Sequence, residues 1–62
     1  MKPILLIVVN DPAFFISHRL PIAEGACRAG YNVHVATKPG KAVAEIFDYG
    51  FYHHKLPLSR SG

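Results

Sequence analysis

Cysteine is nearly absent from this sequence. Cys27 stands alone among 62 residues, so neither an internal disulfide nor a cysteine-rich zinc site can form. A single thiol fits a reducing compartment. Charge is sparse as well: 18% of residues are charged against 50% hydrophobic, a balance that argues against intrinsic disorder. The basic residues (Lys2, Arg19, Arg28, Lys38, Lys41, Lys55 and Arg60) give a net charge of +3 but form no run or stripe, so no nucleic-acid partner is expected. Long apolar runs are missing too. Ile4 to Val9 stops after six residues at Asn10-Asp11, below the roughly 7–15 of a signal core and the roughly 20 of a membrane span. A cytoplasmic location is expected, its closest approach to a bilayer being peripheral, at the inner face. No glycine-rich dinucleotide fingerprint follows this run and no Walker-type loop occurs, which disfavours tight NAD or ATP sites of those kinds. No cofactor is expected.

What is present is a regular alternation. Ile4 to Val9 is apolar and β-branched without alternation, which predicts a strand buried on both faces, as in the middle of a parallel sheet. A helix follows, with Ile16, Leu20, Ala23 and Cys27 on one apolar face and Gly30 ending it in a left-handed conformation. Its start has two readings. Either Ser17 caps it, with the start between Ser17 and Leu20, or Asp11 caps it with Pro12 at the first position and Pro21 kinks a longer helix. A start between Ser17 and Leu20 is expected. Tyr31 to Thr37 reads as a second strand with Val33, Val35 and Thr37 on one face. Lys41 to Tyr49 reads as a short helix turning Val43, Ile46 and Phe47 inward before Gly50, and Phe51 to Leu56 as a third strand.

The sum is βαβαβ: an α/β chain forming half of a Rossmann-like parallel sheet in strand order 3-2-1. In that order the most hydrophobic strand lies at an edge, where it invites either more chain or a second copy. A homo-oligomer through strand Ile4 to Val9 is therefore one expectation. A chain of this length buries only about 60% of the surface its unfolded form exposes, so it is marginally stable by itself.

Ligands of open α/β sheets bind at the carboxyl ends of the strands. Asn10, Asp11, Ser17, His18 and Arg19 follow the first strand, Thr37 and Lys38 the second, and Ser59, Arg60, Ser61 and Gly62 the third. If Ser17-His18-Arg19 opens the helix, its free N–H groups and the positive end of its dipole can meet a phosphate or a sugar hydroxyl, and Arg19 can pair with phosphate. The plainer reading is that Ser17 caps, His18 packs and Arg19 is solvated. His53 and His54 are adjacent on a strand and point to opposite faces, and His34 lies on another strand, so no metal site is expected. Cys27, on the apolar helix face, reads as a small buried hydrophobe.

Val8-Val9-Asn10, the string Phe14-Phe15-Ile16-Ser17-His18-Arg19-Leu20-Pro21-Ile22-Ala23, Gly30 to Thr37, and Phe51 with His54 and Leu56 to Gly62 resemble, in order, the start of bacterial family 4 glycosyltransferases. That resemblance implies a GT-B fold, in which two Rossmann-like domains enclose a cleft, the first mainly holding the acceptor and the second the nucleotide-sugar donor. It implies sugar transfer to a saccharide or lipid-linked acceptor in surface polysaccharide synthesis. Asn10, Ser17, His18, Arg19, Arg60 and Ser61 then become the expected substrate-binding residues. His18 and Pro21 match a His-x-x-Pro element in which, in some GT-B enzymes, the histidine is the base on the acceptor hydroxyl. Family 4 enzymes generally retain configuration and do not need that base, so His18 is expected to contact acceptor or donor instead. Two departures stand out. Asp11-Pro12-Ala13 replaces the usual aromatic-containing approach, and the remaining strands and the donor-binding domain are missing. The expectation is residues 1–62 of an acceptor-side domain, inactive alone. The rivals are a stand-alone non-enzymatic module that oligomerises and one half of a split enzyme.

Overall fold

A computed structural model describes residues 2–56. Arg60 and Ser61, expected at the site, and Ser59 and Gly62 lie outside the described residues. Strands β1 (Ile4–Val8), β2 (Asn32–Thr37) and β3 (Tyr52–Lys55) form one parallel sheet in the order β1-β2-β3, which is the expected 3-2-1 read from the other edge. Asn32 N–H donates to the Pro3 carbonyl at 2.8 Å at one end of the β1–β2 pair, and Lys38 N–H donates to the Asn10 carbonyl at 2.9 Å at the other.

The first helical run begins earlier than expected. Asp11 is extended and its carboxylate accepts from Ala13 N–H at 2.9 Å, with Pro12 at the first helical position. From there α1 (Pro12–Phe14), a π-helical turn (Phe15–Arg19) and α2 (Leu20–Arg28) follow without a break. The expected start between Ser17 and Leu20 is thus corrected: Ser17 sits inside the helix and caps nothing. Pro21 explains the π turn, because it has no N–H and its ring crowds the Ser17 carbonyl four residues back. Widening the turn accommodates that clash and shifts the helix register. Phe15 and Leu20, five apart, both turn to the sheet; in an uninterrupted α-helix they would sit about 140° apart.

The exit from α2 follows the expected glycine rule. Gly30 has φ of 100°, Tyr31 N–H donates to Ala26 O at 3.0 Å and Gly30 N–H to Cys27 O at 3.1 Å, a Schellman closure. Gly50, with φ of 88°, ends α3 (Val43–Asp48) in the same left-handed conformation.

Both helical layers cover one face of the sheet. Phe15, Ala23 and Ile46 pack with Val33, Val35 and Phe51 into a single core, with Phe15 and Phe51 edge to face at 6.0 Å. Right-handed crossovers that step β1 to β2 to β3 in one direction place both helices on the same side. Among the described residues nothing covers the opposite face, and Ile4, Leu6 and Val8 are 64%, 54% and 58% exposed. This corrects the expectation of a first strand buried on both faces: β1 alternates, and it is an edge. Two further expectations fail for related reasons. Cys27 is exposed, because the sheet-facing stripe of α2 runs through Ala23 and Ala26. Phe47 is exposed and lies against His53 with ring centroids 6.0 Å apart, leaving Ile46 as the core residue of α3. Among the described residues no helix is long and apolar enough to cross a membrane.

Candidate functional site

The carboxyl ends of β1 and β2 open into a shallow cleft of about 360 Å³ between the start of α1 and the loop leading to α3. Asp11, Pro12, Gly40, Lys41 and Glu45 line it. Gly40 permits the approach of the two walls, since a Cβ there would stand 3.1 Å from Pro12 Cγ. Asn10 is exposed at this mouth, and its carbonyl is taken by Lys38 N–H. Thr37 is not available to a ligand: it is fully buried, and its hydroxyl donates to the Lys38 carbonyl at 2.7 Å. That hydroxyl has one proton, so the 2.8 Å contact with His53 Nε2 is an N–H donated by the histidine.

Ser17, His18 and Arg19 are brought together, but away from this mouth. Ser17 lies about 9 Å along the helix from Asp11 at about 1.5 Å per residue. All three are exposed on the π turn and gather around Phe14. The His18 ring stacks on Phe14 at 4.3 Å, and the Arg19 guanidinium stands 5.6 Å from the same ring, a cation–π distance. Ser17 Oγ lies 2.8 Å from His18 Nδ1 and 3.4 Å from the Phe14 carbonyl. The hydroxyl donates to the Phe14 carbonyl, and the shorter contact ties Ser17 to the His18 ring. The reading in which this triplet offers free N–H groups and the positive end of a helix dipole is corrected, because the helix begins at Pro12. The cluster offers side chains instead: a hydroxyl, an imidazole and a guanidinium on one exposed turn.

No family model, curated protein or solved structure matches this chain. The functional reading therefore rests on the residues and their geometry.

β3 carries two further histidines, one on each face of the sheet. His53 faces the helices and is held by Thr37. Burial pushes its pKa below the ordinary 6.5, and a charge on neighbouring His54 pushes it the same way. His54 points to the bare face, where its Nε2 lies 2.7 Å from His34 Nδ1. Sequence reasoning set these two apart as belonging to different strands. The signal that joins them is parity with register: both numbers are even, and β2 pairs β3 with Ala36 opposite His54.

Proposed function

We propose that this chain is the acceptor-side opening of a GT-B glycosyltransferase, one that moves a sugar from a nucleotide-sugar donor to a saccharide or lipid-linked acceptor in surface polysaccharide synthesis. The observation that carries the reading is the half-built sheet. Among the described residues, three parallel strands have both helices on one face, while the most apolar strand keeps an unpaired outer edge and the other face is open. That is the arrangement expected of a doubly wound domain before its second half is added at β1. The string resembling family 4 glycosyltransferases supplies the chemistry. Its π turn gathers Ser17, His18 and Arg19 on the exposed side of the first helix, suited to hydroxyls and phosphate oxygens. Residues 1–62 alone are inactive in this reading, because nothing among the described residues encloses a donor.

The test is to isolate from source cells the native polypeptide carrying this segment and to assay sugar transfer from nucleotide-sugar donors, beside residues 1–62 alone. Transfer by the native polypeptide, lowered by His18→Ala, is expected; no transfer from any donor would refute it. The same bare edge favours a second reading, a non-enzymatic module that oligomerises through Ile4 to Val9. It requires a folded assembly of defined mass from residues 1–62 alone.

A further inference from the structure

We propose that His34 and His54 form a chelating site for a late first-row divalent cation of the zinc, nickel or copper class. The proposal does not use the sugar-transfer reading and concerns residues 2–56, whose sheet keeps this face open. His34 on β2 and His54 on β3 share the bare face as diagonal neighbours, since His34 pairs with Tyr52 and Ala36 with His54. Their ring planes differ by 8°, with centroids 5.0 Å apart and Nδ1 of His34 2.7 Å from Nε2 of His54. The centroid separation matches the N···N distance plus the two ring radii, so the rings lie end to end in nearly one plane. Two imidazole lone pairs therefore converge on a single proton. Tyr52 stacks on His34 with ring centroids 4.6 Å apart and supports one side of its ring.

This is the donor set that borderline cations prefer. Imidazole nitrogens bind zinc at about 2.0–2.1 Å, so two adjacent ligands on a tetrahedral or square-planar ion stand about 2.9–3.4 Å apart. The pair has to open by only a few tenths of an ångström while the rings turn toward a common point. His54 is exposed and His34 partly so, which allows that rotation and leaves room for water. The ion takes the place of the shared proton, which moves through solvent to the far nitrogen of the ring that donated it, so both ligands stay neutral imidazoles and water fills the remaining positions. Among the described residues no cluster of three or more potential ligands exists, so the site holds its ion by two protein nitrogens.

The test is a titration of the full chain with Zn²⁺ alone, in a Cys27→Ser background that removes the exposed thiol as a competing ligand. Calorimetry counts the ions, and nitrogen NMR of the imidazoles locates them. The expected result is one ion per chain, with His34 Nδ1 and His54 Nε2 shifting together while His18 and His53 stay in place. Binding is lost in His34→Gln and in His54→Gln and kept in His53→Gln. No binding, binding that survives both substitutions, or shifts at His18 or His53 instead would overturn the proposal. Should a glutamine variant fail to fold by circular dichroism, the shifts in the Cys27→Ser chain decide alone.

Discussion

Replacing Phe15 by alanine tests the helix register and the core together. Phe15 is fully buried and meets Phe51 edge to face, so its truncation removes a large apolar side chain and an aromatic pair at once. Phe→Ala in a core costs about 3–5 kcal/mol. Natural domains hold about 0.05–0.15 kcal/mol per residue, which for this chain amounts to about 3–9 kcal/mol. A short chain with one open sheet face belongs at the lower end of that range. Phe15→Ala is therefore expected to leave little or no folded protein at 25 °C. Phe14→Ala, one residue earlier, removes a side chain that is 40% exposed together with its contacts to His18 and Arg19, and should cost clearly less, about 1 kcal/mol. Urea unfolding followed by circular dichroism separates the two, since about 1 kcal/mol moves the midpoint by up to about 1 M. An unchanged midpoint for Phe15→Ala, or a larger loss for Phe14→Ala, would refute the π-turn register that puts Phe15 on the sheet.

Three other outcomes follow from the same geometry. Asp11→Ala should cost about 0.5–2 kcal/mol by removing the cap on Ala13 N–H, whereas Ser17→Ala should stay within about 0.5 kcal/mol; the reverse order in urea midpoints would restore a helix start at Ser17. Gly25→Ala, in a helix interior with open space around it, should stabilise by about 0.4–1 kcal/mol, while Gly30→Ala, forced to positive φ, should cost about 1–2 kcal/mol; equal effects in thermal melts would contradict this. The third concerns pH. His53 binds a proton less readily folded than unfolded, so its contribution is whole above its ordinary 6.5 and is lost as pH falls through the lower folded value. His53→Gln should flatten that part of the stability curve, and an unaltered slope would remove His53 as its cause.

The alternation of elements was legible because its signals are local. Val33, Val35 and Thr37 share parity and share the buried face, and Gly30 and Gly50 end their helices with the positive φ that glycine tolerates best. The errors arise where a local signal competes with another or depends on distant chain. Asp11-Pro12 and Ser17 are both acceptable caps, and the choice between them turned on how Pro21 is accommodated. Once the π turn shifts the register, the sheet-facing stripe ends on Ala26 and leaves Cys27 to solvent. The unbroken apolar run of β1 reports side chains that avoid water on both faces, but only other elements decide whether a second cover exists. Candidate residues were legible as a string, because Ser17, His18 and Arg19 are contiguous. The His34–His54 contact was not, since it depends on the strand register across 20 positions.

The central claim is that this chain is the opening half of a larger glycosyltransferase domain, and the mass of the native polypeptide tests it most directly. An antibody raised against this segment, used on extracts of the source cells, should detect a band several times heavier than 6.8 kDa. A native product of 6.8 kDa, assembled into an oligomer of defined mass, would contradict the claim and leave the β1 edge as a contact between copies.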